Sequence, residues 1–188
     1  NPGDAGYPPE INFGNNENLS EIKWFWPAPK RFIFEDMQNF GYEKKIIFPI
    51  TATVKTTKEP LVLQANITAL ACKDICVPID GDLNLTIPVG NPVKTEHAAS
   101  IYSFEKRVPT KATWPGFKIL SVNANKNSIL IKVKSKHPLI KPDVFIESEN
   151  GFRFGKPEVS ISNNRLSASF ILSNDIPIDT NLTGIPIT

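Results

Sequence analysis

Short runs in which apolar and polar residues alternate, divided by proline, glycine and asparagine, make up most of this chain. A period of two is the mark of half-buried β-strands, whose side chains point to opposite faces of a sheet in turn. Glu21–Trp26 begins in this pattern, turns apolar, and is ended by Pro27-Ala28-Pro29. Residues 1–20 are polar and rich in turn signals, so they are expected to form an irregular arm draped over a domain. Residues 30–42 mix aromatics with charges in neither period, which predicts one short strand and then a loop. Ile46–Val54 reads as a strand whose Pro49 places it at an edge or a bulge. Leu61–Leu70 alternates well and runs into Cys72. Val77 and Ile79 resume the pattern, Asp80-Gly81-Asp82 reads as a turn, and Leu83–Ile87 alternates again.

Gly90-Asn91-Pro92 closes this first stretch. Thr95–Arg107 is the one segment with helical character: Thr95 can cap its start, basic residues fill its last turn, and Pro109 stops it. Ala98, Ile101 and Tyr102 share one side of that helix and are expected to pack. The β pattern returns after Trp114-Pro115-Gly116, with strands predicted over Phe117–Val122, Ser128–Val133, Val144–Ile146, Val159–Ile161, Leu166–Leu172 and Ile185–Ile187. Trp24 and Trp26 fall on one face of their strand and read as core aromatics. The expected fold is therefore all-β: an immunoglobulin-like sandwich over residues 1–93, a short helical linker over 94–109, and a second β-sandwich over 110–188.

Composition narrows the function. With 188 residues and 40% hydrophobic content, the chain can build one large or two small cores. The net charge of +2 comes from Lys and Arg interspersed with Asp and Glu, so the electrostatic footprint of a nucleic-acid binder is missing. No apolar run approaches the roughly 18 residues of a membrane helix. The chain begins at Asn1 without methionine or a signal peptide, which points to a processed or excised segment. It stops after an apolar Gly-Ile-Pro-Ile stretch, which suggests that the full protein continues. Three glycosylation sequons, at Asn66, Asn84 and Asn181, are expected by chance in so asparagine-rich a chain.

The chemistry gathers at Cys72-Lys73-Asp74-Ile75-Cys76, which holds the only two cysteines. Four residues apart, they share a face of a helical turn or form the first cross-strand pair of a hairpin with a three-residue loop. Either arrangement is compatible with a disulfide. Closing so small a ring stabilises a fold by only about 2 kcal/mol, against about 4.7 kcal/mol for a hundred-residue loop. That favours a dithiol that opens and closes over a structural staple, though a structural bond stays open as a reading. Metal is the weakest one: His97 and His137 lie far off in sequence, and Met37 is the single methionine. The 110–188 segment has no cysteine and no nucleophile–base constellation, and reads as a spacer or docking module.

Three stretches together resemble the periplasmic N-terminal region of the DsbD-like protein-disulfide reductases, in particular the ScsB-type branch linked to copper tolerance. They are Pro2–Pro9; Trp24-Phe25-Trp26-Pro27-Ala28-Pro29-Lys30-Arg31-Phe32 with Phe40-Gly41-Tyr42 and Phe48-Pro49; and the cysteine segment ending in Cys76-Val77-Pro78. The resemblance covers about residues 1–108. It implies an immunoglobulin-like domain whose cysteine pair, here Cys72 and Cys76, takes electrons from a thioredoxin-like domain or membrane core of the same reductase. It passes them to disulfides of periplasmic thioredoxin-fold clients. No other cofactor is implied, and the location implied is the periplasm, in the exported part of a bacterial inner-membrane protein. The spacing of three residues between the cysteines departs from DsbD proper and follows the ScsB type. In this family an aromatic cap shields the pair; Phe40 and Tyr42, or Phe34 with Met37, are the candidates. Family resemblance also points to Cys76 as the cysteine that forms mixed disulfides. Lys73 favours its thiolate and Asp74 opposes it. The rival readings are a non-enzymatic β-sandwich binding module and a copper(I) chaperone, each with an incidental small disulfide.

Overall fold

A computed structural model describes residues 6–34, 37–73, 75–110, 116–146 and 154–174. Among the described residues the fold is all-β apart from one short helix, and the chain divides into two compact units, Pro2–Val108 and Pro109–Thr188.

The first unit is of the immunoglobulin-like type. It is built around a long hairpin, β6 (Leu61–Cys72) and β7 (Cys76–Ile87), paired over its whole length from Leu61 opposite Ile87 to Cys72 opposite Cys76. The turn expected at Asp80-Gly81-Asp82 does not form. Glycine and aspartate favour turns, but here Thr68 Oγ1 donates to Asp80 Oδ1 at 2.7 Å and Asn66 Nδ2 to Asp82 Oδ1 at 3.1 Å. These side-chain bonds across the ladder hold both aspartates in strand. The N-terminal arm is also corrected. Glu10–Phe13 forms β1, which pairs antiparallel with β6 and gives the sheet order β1-β6-β7. Ile11 and Phe13 add to the apolar face of β6, and Glu10 and Asn12 to its polar face.

Strand β2 (Leu19–Trp24) pairs with β5 (Ile50–Val54) and lies against β6. β2 keeps the expected length but starts two residues earlier, and β5 is shorter than expected, because Pro49 removes a ladder donor at its start. The ladder is nevertheless prolonged past Trp24 by the Phe25 N–H, which donates to Pro49 O at 2.9 Å. At the other end of β2, buried Asn18 sits at φ 58°, a backbone region that asparagine tolerates better than most residues. Its Nδ2 donates to Thr56 O and Glu59 O, both at 2.8 Å, and its Oδ1 accepts from the Thr56 N–H at 2.9 Å. One side chain thus satisfies the turn between β5 and β6. Residues 30–42 hold two strands, not one: β3 (Lys30–Phe34) and β4 (Met37–Gly41) form a ribbon with Arg31 opposite Phe40.

The helix α1 (Ala98–Glu105) belongs to the first unit, whose backbone it joins where the Ala28 N–H donates to Arg107 O at 2.8 Å. Its N-cap is His97, with no side-chain cap bond; Thr95 contributes its carbonyl to the Ala98 N–H at 3.1 Å. Lys106 and Arg107 fall just past the last turn and lie over the rings of Tyr102 and Phe104. The expected packing side is not buried. Of that side only Ala98 is half-buried; Ile101 and Tyr102 stay exposed, and Phe104 and Val108 are half-buried instead.

The tryptophan motif becomes an aromatic cluster. Trp24 and Trp26 have ring centroids 4.4 Å apart, and Phe48 meets Trp24, Trp26 and Tyr42 edge-on at 5.3, 5.1 and 5.3 Å. The Tyr42 hydroxyl donates to Pro27 O at 2.8 Å. Tilted and edge-on pairs suit the ring quadrupoles and add about 0.5–1.5 kcal/mol each beyond burial.

In the second unit, β8 (Phe117–Ala124), β9 (Ser128–Ser135), β10 (Glu158–Ile161) and β11 (Ser167–Ser173) form one antiparallel sheet in the order β10-β11-β9-β8. Ile129, Ile131 and Val133 lie directly opposite Leu172, Phe170 and Ala168 across the β9–β11 ladder and bury one face. Val144 joins this core from outside any strand, contrary to the strand expected there: it packs as a buried loop residue. The strand expected over 185–187 lies outside the described residues. Replacing Phe170, 3% exposed, with alanine should cost about 3–5 kcal/mol of stability, read as a lowered urea midpoint.

Burial also raises the Tyr42 phenol from 10.0 to about 12, with Arg107 pulling the other way. The folded value lies above the unfolded one, so this contribution to stability is whole below pH 10.0 and is lost as pH rises through about 12. Tyr42→Phe should therefore cost about 0.5–1.5 kcal/mol at neutral pH through the lost hydrogen bond. It should also flatten the alkaline decline, as measured by urea unfolding across that pH range.

Candidate functional site

The cysteine pair is positioned by the β6–β7 register alone. Counting twelve pairs up the ladder from Leu61 and Ile87 brings Cys72 and Cys76 directly opposite each other, with Cα atoms 4.1 Å apart and the two sulfurs bonded. Directly opposed residues share a face, so both thiols point the same way. The connecting loop has three residues, and the Lys73 N–H donates to Ile75 O at 3.1 Å within it. Asp74 lies outside the described residues. Of the two geometries compatible with the spacing, the hairpin is the one adopted.

The disulfide sits at the open end of the sheet. Cys72, Cys76 and the flanking Ala71, Lys73, Ile75 and Val77 are all exposed, Ile75 at 74%. Breaking the bond therefore frees a five-residue ring and leaves the ladder below it intact. An exposed, locally closed disulfide is open to in-line attack by an external thiolate, which is what exchange chemistry requires.

The candidate cap residues Phe40 and Tyr42 both make contacts within the first unit. Tyr42 is held in the aromatic cluster by its bond to Pro27. Phe40 pairs across the β3–β4 ribbon with Arg31, whose guanidinium lies 5.0 Å from its ring centroid and whose Nη1 donates to Gln38 Oε1. Met37 opens β4, and the Phe34 side chain lies outside the described residues. Both cysteines are exposed. His97 caps α1 and lies 3.7 Å from Glu96, while His137 belongs to the second unit. Among the described residues, no three His, Cys, Asp or Glu side chains gather as a metal site, and no helix is long and apolar enough to cross a membrane.

One feature of the site escaped the sequence reading: β7 is a single twelve-residue strand, which carries the geometry of Cys76 without a break down to Ile87. Its signal was present. Val77, Ile79, Leu83, Leu85 and Ile87 keep one parity straight through Gly81.

Comparison with known proteins agrees with this geometry. Residues 5–88 match the family described as "Thiol:disulfide interchange protein DsbD, N-terminal". Residues 107–188 match a domain of unknown function (DUF8393). No curated protein matches the chain. Among solved structures, the fold is similar to that of the N-terminal periplasmic domain of ScsB from Proteus mirabilis, with a TM-score of 0.67 and 20% identity, over 99% of this chain and 73% of that one. The first unit, with its cysteine-closed hairpin and its aromatic cluster, thus matches the DsbD N-terminal family over residues 5–88, and the chain shares the fold of the ScsB N-terminal periplasmic domain.

Proposed function

We propose that this chain is a periplasmic protein-disulfide reductase domain, which relays electron pairs through Cys72 and Cys76 to disulfides of thioredoxin-fold client proteins. The observation that carries the reading is the exposed disulfide between directly opposed cysteines at the tip of a ladder that does not need it. The DsbD N-terminal family match supports it. The electron donor in this reading is a thioredoxin-like domain or the membrane core of the same reductase, and the cysteine pair itself is the carrier, with no further cofactor.

The chemistry balances as two exchanges. In the reduced domain, the Cys76 thiolate attacks a client sulfur. The client S–S bond breaks, one client thiolate leaves, and a mixed disulfide forms. The Cys72 thiolate then attacks Cys76 Sγ, closing the Cys72–Cys76 bond and releasing the second client thiolate. Two electrons have passed to the client, whose thiolates take up protons from solvent. A donor dithiol resets the pair by the same steps in reverse. The three-residue loop keeps the resolving sulfur beside the attacking one throughout, a gain of effective concentration. Phe40 is assigned the shielding role over the reduced pair, with Tyr42 anchoring the end of its strand.

Equilibration in graded dithiothreitol buffers, with counting of free thiols, measures the potential of the pair. The expected value lies between about −270 mV, that of a thioredoxin, and about −120 mV, that of a strong periplasmic oxidant. A value below about −300 mV marks an inert structural bond and turns the chain into a binding module. In client trapping, Cys72→Ser should accumulate a covalent adduct through Cys76. Cys76→Ser should not, and Cys72→Ala/Cys76→Ala should abolish the relay.

A further inference from the structure

We infer that the outer edge of β7 is a strand-addition site for an extended partner segment that carries apolar residues on one face and Lys or Arg on the other. This deepens the exchange reading by naming how a client segment is held beside Cys76.

Among the described residues β7 has a strand neighbour on one side only, β6, and all twelve of its residues are exposed. Long, open edges template pairing with another chain, and proteins usually defend them with lysine, bulges or inward charges. On Cys76–Ile87 the defence is limited to Pro78 and two aspartates. The strand contains no Lys or Arg, its pairing with β6 has no register break, and only Pro78 lacks an N–H. Pairing by a partner thus has the run from Ile79 to Ile87, longer than a typical strand of about 5–6 residues and close to the disulfide.

The chemistry of the occupant is set by the two faces. One face of β7 presents Val77, Ile79, Leu83, Leu85 and Ile87, each 47–54% exposed. The other presents Asp80 and Asp82, whose bonds to Thr68 and Asn66 fix them in the plane of the polar face. A strand laid along this edge places its own alternate residues beside each row. Opposite charges directly across a strand pair are favourable and like charges unfavourable. A basic–apolar alternating segment therefore fits. A second copy of this chain does not: antiparallel self-pairing that keeps the apolar rows together sets Asp80 opposite Asp82, or Asp82 opposite itself, in the two registers of greatest overlap.

The test uses the full chain with Cys72→Ser/Cys76→Ser, so that binding is read without exchange chemistry and either reading can fail alone. The probe is a fluorescein-labelled twelve-residue peptide of alternating valine and lysine, followed by anisotropy and by amide hydrogen exchange of β7. Binding with protection of alternate amides between Ile79 and Ile87 is expected. Asp80→Asn/Asp82→Asn, which keeps the acceptors for Thr68 and Asn66, should weaken binding on the order of fivefold. Of two peptides N-methylated at alternate positions, one should bind and the other should not, because strand addition uses every second N–H. Equal binding of both methylated peptides, equal binding of a valine–glutamate peptide, no binding at all, or dimerisation of the chain through β7 by light scattering would each overturn the proposal.

Discussion

The register of the β6–β7 ladder is the constraint on which the site depends. Side chains alternate faces with a period of two, so a slip of one residue would throw Cys72 and Cys76 to opposite faces of the sheet. That register is specified far from the sulfurs. Leu61, buried at 4%, anchors one end, Leu63, Ala65 and Ile67 continue the inward row, and Thr68–Asp80 and Asn66–Asp82 lock the outward one. The disulfide inherits its geometry from this ladder and contributes little to it, since a five-residue ring removes only about 2 kcal/mol of chain entropy.

The remaining parts of the first unit support the same hairpin. β1 and β2 flank β6, and Asn18 ties the start of β2 to the turn that launches β6. The aromatic cluster gathers residues from three separate stretches, Trp24 and Trp26, Tyr42, and Phe48. In sequence these stretches carry the family resemblance. In space they are one packing unit, with Phe48 edge-on to the other three rings.

How much of this was legible beforehand varies with the type of signal. Alternation located β6, β9 and β11 to within a residue or two, because half-burial imposes it directly. It failed where two signals compete. Asp80-Gly81-Asp82 has turn chemistry, yet long-range partners on β6 outweigh local preference. Residues 30–42 conceal two strands, since Arg31 pairs across the ribbon with an aromatic ring, Phe40, and its charge among apolar residues blurs the pattern. Glu10–Phe13 is too short to stand out from its polar setting. The cysteine pair was legible as chemistry from spacing alone, and its hairpin geometry was one of two arrangements that the spacing allows. The edge position of β7 was not legible, because strand order is a property of the assembled sheet.

The smallness of the disulfide ring has a further consequence. A carrier that changes shape on each transfer must reorganise its packing and its solvent every time an electron pair arrives. Here the ring closes only the tip of the hairpin, and the ladder, the cluster and the Asn18 turn all lie outside it. In the proposed relay the fold would stay fixed while the sulfur–sulfur bond opens and closes. The difference between the potential of the pair and that of its partner then sets the direction in which electrons run.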